Sequence, residues 1–428
     1  MDGPEGKAGN SFMYKKTVLP CGLTVVTEEM PAYRSATVGV WANVGSADED
    51  SGNSGVSHFI EHMLFKGTSS KSAADIAEIM DGCGGQMNAF TEKERTCFYA
   101  KVLGDHVPMT VDLLFEMLCD STFDQTELER ERRVILDEIR MYEDSPEDLI
   151  MEMFPSLLWG GCSLGRPVVG TAETVGAMTR GDMLDYMKRK YVAGNLLVSA
   201  AGNVRHEELV DLVGGHVGML SPGVSAGRPA PVVSPPSSSV RVKDCEQAYV
   251  IIGREGYPQS DDRRYALSVV DSILGSSMSS RIFQEIRERR GLAYNIGSFT
   301  TSLEGSGLFG IYAGTSPEHL EEVASLSASI ASGMRRDGPS AAELARAKEQ
   351  LKGALALSLE STSWRMISLA RNEFYHGRFI SPEEVFDRID AVSMEDVMSV
   401  SDSLLDVSSY SSCVLGAVPE GFSLGALI

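Results

Sequence analysis

Residues 56–67 read Val-Ser-His-Phe-Ile-Glu-His-Met-Leu-Phe-Lys-Gly, a His-x-x-Glu-His pattern inside an apolar run. Phe59, Ile60, Met63, Leu64 and Phe65 demand burial, and the stretch is long enough for a buried helix. On a helix, His58 and His62 stand four residues apart and project from one face about one turn apart. Two ring nitrogens then reach a single metal ion, with Glu61 on the same side and free to hold water. Buried imidazoles beside a carboxylate need polar partners or a metal. The plainer alternative, two surface histidines flanking a carboxylate, fits these neighbours poorly.

The better-known zinc-binding helix reads His-Glu-x-x-His, and the order here is its reverse. Zinc needs a third protein ligand and one open position. The candidate donor lies in residues 125–143, a strongly helical segment that Asp124 and Glu127 begin in the manner of a capping box. Glu131 and Glu138 stand two turns apart on nearly the same face. One of them can bind zinc while the other orients a ligand histidine, because metal-bound imidazoles usually donate their second N–H to an acceptor. Spacing alone leaves open a solvated face paired with Arg130, Arg132, Arg133 and Arg140.

His58-x-x-Glu61-His62, followed 76 positions after His62 by Glu138 within Glu-Arg-x-x-Val-Ile-Leu-x-Glu-Ile, resembles the pitrilysin family of zinc peptidases. The resemblance runs from about residue 14 to the end and is closest to the short, two-domain bacterial members, similar to the β subunit of mitochondrial processing peptidase. It implies one Zn2+ per chain held by His58, His62 and Glu138, with Glu61 as general base and Glu131 behind a ligand. Residues 84–91 and 96–99 resemble the family's strand pair beside the zinc, where the edge strand receives substrate as an added β-strand. That implies substrate contacts at Asn88, Ala89 and Phe90; by itself Asn88 reads as a turn residue capping the strand. Residues 279–294 resemble the segment whose arginine and tyrosine assist catalysis, here Arg287 and Tyr294. Without the family these read as a surface arginine and a packed tyrosine. The short Leu274-Gly275-Ser276-Ser277-Met278 stands where the processing peptidase α subunit carries a long glycine-rich loop.

The implied activity is zinc-dependent endopeptidase hydrolysis of extended or unfolded peptides. Family chambers are built from four such domains and this chain has two. The resemblance therefore implies a homodimer, with Arg287 and Tyr294 of one copy completing the other's site. The rival is a non-catalytic assembly subunit of a processing-peptidase-like complex, against which the intact His58, Glu61, His62 and Glu138 set argues.

Thirty-eight basic and sixty acidic residues give a net charge of −22, which argues against nucleic acid as a partner. No apolar run reaches membrane-spanning length, and the first ten residues carry no signal core. Seven cysteines, with no Cys-x-x-Cys pair, fit reduced thiols in a cytoplasmic protein.

Residues 221–239 are rich in Pro, Gly and Ser and read as a linker. The expected organisation is a mobile tail at 1–11, a metal-binding domain at 12–220, the linker, and a related non-metal domain at 240–428. An apolar helix at 262–274 takes the slot of the metal helix there and has no histidine. Strands and helices mix without strict βαβ alternation. The fold class is α+β, with two homologous domains, each an antiparallel-rich mixed sheet covered by helices.

Overall fold

The computed structural model describes residues 13–224, 227–419 and 421–424. The expected N-terminal tail at 1–11 lies outside these residues. The first half contains β1 (Met13–Val18), β2 (Thr24–Glu29), β3 (Ser35–Ala42), α1 (Val56–Leu64), α2 (Ala73–Gly82), β4 (Gln86–Thr91) and β5 (Thr96–Leu103). It continues with α3 (Val107–Asp120), α4 (Gln125–Asp144), α5 (Pro146–Leu158), α6 (Ala172–Ala177), α7 (Arg180–Lys190), β6 (Leu196–Gly202) and α8 (His206–His216). The second half begins with β7 (Ser238–Val242), β8 (Ala248–Glu255), α9 (Arg263–Asp271), β9 (Ala293–Ser302) and β10 (Gly307–Thr315). It ends with α10 (Leu320–Asp337), α11 (Ala341–Ser358), α12 (Thr362–His376), α13 (Pro382–Ala391), α14 (Met394–Leu404) and β11 (Ser411–Gly416).

Among the described residues the strands form two mixed sheets, ordered β1-β2-β6-β3-β5-β4 and β7-β11-β8-β10-β9. Each has one parallel pair, β2 with β6 and β7 with β11, and is otherwise antiparallel. The sheets are covered by helices, in keeping with the α+β expectation. The second sheet starts at Ser238, inside the stretch read as a linker.

In β3, Ala36, Val38, Val40 and Ala42 join Phe59, Met63 and Leu114 in the core beneath the first half's own helices. The alternate residues face α12, which comes from the second half. Trp41 packs with Met366, Leu369 and Ala370, and Thr37 shares a 2.9 Å hydrogen bond with Thr362. Gly39 permits this close approach, since a Cβ there would stand 2.6 Å from the Met366 sulfur. Arg365 of α12 forms a buried ion pair with Glu28 of β2. The reverse exchange is made by α5. Its Ile150, Phe154 and Leu158 cover Ile251, Cys413 and Leu415 of the second sheet. Each sheet therefore has one face closed by a helix from the other half.

Candidate metal centre

Helix α1 begins after Gly55, whose φ of 91° suits glycine, and its first turn has no side-chain cap from its own N-cap residue. Glu49 supplies the acceptors instead, taking the Gly55 N–H at 2.7 Å and the Ser57 N–H at 2.9 Å. Burial pushes the Glu49 carboxyl up to about 7, against those hydrogen bonds. Gly55 and Gly170 meet backbone to backbone, since a Cβ on Gly170 would lie 2.5 Å from the Ser54 carbonyl oxygen. This contact seats the loop at 167–172 beside the helix.

The apolar face of α1, Val56, Phe59, Ile60, Met63 and Leu64, is fully buried. The opposite face presents His58, Glu61 and His62 toward α4. There Leu128, Ile135 and Ile139 are buried, which turns Glu131 and Glu138 toward α1. Nε2 of His58 and Nε2 of His62 each lie 3.7 Å from Oε2 of Glu138. One donor atom from each of these three residues lies within 4.8 Å of the others. Tetrahedral zinc with bonds of about 2.0–2.2 Å sets its ligand atoms roughly 3.4 Å apart, so this donor set fits such an ion with small adjustments.

The protonation states suit the same purpose. Burial, with His62 nearby, lowers His58 to about 3 and keeps its imidazole neutral, the form that binds metals. His58 Nδ1 is buried without a hydrogen-bond partner among the described residues, and its Nε2 is turned to the carboxylate. His62 Nδ1 meets Glu131 Oε2 at 3.0 Å, which leaves Nε2 for the centre. Lys66 holds the other Glu131 oxygen at 2.8 Å. Burial raises the Glu131 carboxyl, but the hydrogen bonds from His62 and Lys66 outweigh it and the net shift is downward. Burial moves Glu138 and Glu61 upward.

These groups open into a cleft of about 480 Å³ lined by His58, Glu61, Ala89, Phe90, Thr91 and Glu138. Tyr142, Glu143, Glu152 and the loop at 167–172 complete its walls. Of the strand residues singled out in the sequence, Ala89 and Phe90 line the cleft. Asn88 is exposed, does not line it, and accepts the Ala89 N–H on its side-chain oxygen at 2.9 Å. Arg287 and Tyr294 stand together elsewhere. The guanidinium lies 4.4 Å from the tyrosine ring centroid and 4.7 Å from that of Phe283. Tyr294 is 75% exposed, and neither residue borders the cleft of its own chain.

Three supporting residues escaped sequence reasoning. Lys66 carried a signal, since it lies four residues past His62 on the same helical face. Glu49 and Thr91 carried none, because their contacts join segments that are separate in sequence. Thr91 donates to Glu61 Oε2 at 2.5 Å.

Residues 24–172 match the family described as insulinase (peptidase family M16), and residues 177–351 match the peptidase M16 inactive domain. The chain belongs to peptidase family M16. This is the pitrilysin assignment expected from the motifs, in its short two-domain form. An M16 relative from Mycobacterium tuberculosis, named an uncharacterized zinc protease, is 42% identical over 95% of this chain and 93% of its own length. The uncharacterized zinc protease YmxG of Bacillus subtilis is 39% identical over 92% of this chain and 96% of its own. The crystal structure of a peptidase M16 inactive domain from Pseudomonas fluorescens superposes with a TM-score of 0.88 at 21% identity, covering 94% of this chain and 98% of that one. A protease from Helicobacter pylori gives 0.87 at 21%, covering 95% and 99%. At such identities the two structures speak for the M16 fold alone. Among the described residues no helix is long and apolar enough to cross a membrane.

Proposed function

We propose that this chain is a zinc metalloendopeptidase that hydrolyses extended or unfolded peptides. The observation that carries the reading is the convergence of His58 Nε2, His62 Nε2 and Glu138 Oε2 beside the Glu61 carboxylate in an open cleft. His58, His62 and Glu138 are the zinc ligands, and Glu131 fixes the His62 ring. A zinc ion held there supplies Lewis acidity toward a carbonyl oxygen and a lowered pKa for water.

Glu61 is the general base. It takes a proton as the water oxygen bonds to the scissile carbonyl carbon, then delivers that proton to the amide nitrogen as the C–N bond breaks. The outer edge of β4 offers main-chain donors and acceptors to an added strand, so Asn88, Ala89 and Phe90 bind an extended backbone with little regard to side chains. Arg287 and Tyr294 act from the second copy of a homodimer. There the arginine binds substrate carbonyls and the tyrosine donates to the developing oxyanion. Their separation from the cleft within one chain supports this placement.

Glu61→Gln tests the reading. The variant keeps one zinc per chain by metal analysis and loses hydrolysis of a quenched, unstructured peptide by several orders of magnitude. Full turnover by that variant would refute the role of Glu61. Zinc-loaded parent protein that leaves every peptide intact would favour the assembly-subunit alternative. Mixing Glu61→Gln with Arg287→Ala recovers partial activity through heterodimers, and heterodimers without recovery would disprove completion in trans.

A further inference from the structure

Thr91 is the last residue of β4 and pairs in register with Thr96 of β5. Its hydroxyl is half-buried at the wall of the cleft. Among the described residues it is the one hydrogen-bond donor to the Glu61 carboxylate, reaching Oε2 at 2.5 Å. Glu61 comes from α1 and Thr91 from the edge strand, so this bond joins two separate elements.

We infer that Thr91 is a positioning residue for Glu61, an inference that rests on the general-base reading above. A glutamate carboxylate rotates about its terminal torsion with a broad, two-fold preference. One hydroxyl donor at Oε2 removes that freedom and leaves Oε1 as the oxygen with no protein donor among the described residues. The proton then always moves at Oε1, in one orientation relative to His58, His62 and Glu138. Thr91 exchanges no proton and needs no contact with substrate, because its hydroxyl hydrogen is committed to Glu61. Its place at the end of the substrate-accepting strand also ties peptide docking to base orientation, since a peptide paired with β4 steadies the backbone that carries the hydroxyl. Loss of the hydroxyl should therefore slow turnover while leaving peptide affinity intact.

The test compares Thr91→Val, which keeps shape and β-branching, with Thr91→Ser, which keeps the hydroxyl. Zinc-loaded dimers are assayed on a quenched, unstructured peptide beside the parent and Glu61→Gln. Thr91→Val should lower kcat by about 10–100-fold, as loss of a supporting hydrogen bond at a metal site does, with KM within about threefold. Zinc content and melting temperature should match the parent, and Thr91→Ser should recover most of kcat. Peptide affinity, read by fluorescence anisotropy on the Glu61→Gln background, should not change when Thr91→Val is added.

A Thr91→Val kcat within about twofold of the parent overturns the inference. A Thr91→Ser variant as slow as Thr91→Val overturns it too, because a hydroxyl at that position would then not restore turnover. A tenfold or greater loss of peptide affinity would place Thr91 in strand docking instead, with the same consequence. Parent protein that cleaves nothing would remove the general-base reading and this inference together. Active parent with an unaffected Thr91→Val removes this inference alone.

Discussion

The two halves follow one strand order, β2-β6-β3-β5-β4 in the first and β7-β11-β8-β10-β9 in the second, and each sets a short helix against a long one. In the first half α1 packs on α4, and in the second α9 packs on α11. Counted from the helix caps at Asp124 and Ser340, Glu131 and Glu138 correspond to Ala347 and Ala354. Counted from Gly55 and Asp262, His58, Glu61 and His62 correspond to Tyr265, Ser268 and Val269. The same scaffold thus seals one helix pair with apolar contact and leaves the other a polar seam. Ala347 is 3% exposed with nothing polar to satisfy, whereas Glu131 is 6% exposed and tied to both His62 and Lys66. A carboxylate is tolerated at that depth only where partners converge on it.

The comparison breaks first, and most severely, at Glu138. Glu138→Ala should reduce bound zinc from one per chain to almost none and cut peptide hydrolysis by about three orders of magnitude or more, measured by metal analysis and the quenched-peptide assay. The second half offers the mirror experiment. Ala347→Glu places a carboxylate where no imidazole or lysine awaits it, and denaturant unfolding should show a loss of about 3–5 kcal/mol. The converse change, Glu131→Ala, frees the His62 ring. Zinc affinity should fall about 10–100-fold in a chelator competition, with the fold retained by circular dichroism.

Smaller differences sharpen the contrast at the helix starts. Glu49→Ala strips two buried N–H groups of their acceptor and should cost about 1–3 kcal/mol. Asp262→Ala should stay within about 0.5 kcal/mol, because that side chain caps nothing and its pairing with Arg388 is exposed. Glu49 also carries a pH signature. Its folded value near 7 lies above the ordinary 4.5, so its contribution to stability is full below about 4.5 and lost as pH rises through about 7. Glu49→Gln removes that slope. Thermal melts should therefore show the variant gaining on the parent between about pH 4.5 and 7.

Much of the centre was legible in the order of the residues. The i, i+4 histidines and the two-turn carboxylate spacing on α4 follow from helical periodicity, which is local. Which of Glu131 and Glu138 faces the imidazole pair was not legible, because that depends on how deeply α1 sits along α4. Most strands and helices of the two halves were equally accessible, the histidine-free α9 among them. Helix α5 was not, since Pro155 interrupts its helical signal and its apolar face fits a sheet that begins at Ser238. Nor did the alternation along β3 reveal what Thr37 and Trp41 pack against, because α12 lies more than three hundred residues onward.

From the amino-acid sequence alone came the donor chemistry, two imidazoles and two carboxylates on helical faces, and the doubled architecture that carries it once. Periodicity and residue type suffice for that, because a helix fixes its own faces within a few residues. Tertiary structure decided the rest. It aimed Glu138 at both Nε2 atoms, gave Glu131 to the far side of His62, set Thr91 on Glu61, and crossed α5 and α12 between the sheets. Those outcomes depend on contacts between segments far apart in the chain, whose geometry only the packed molecule defines.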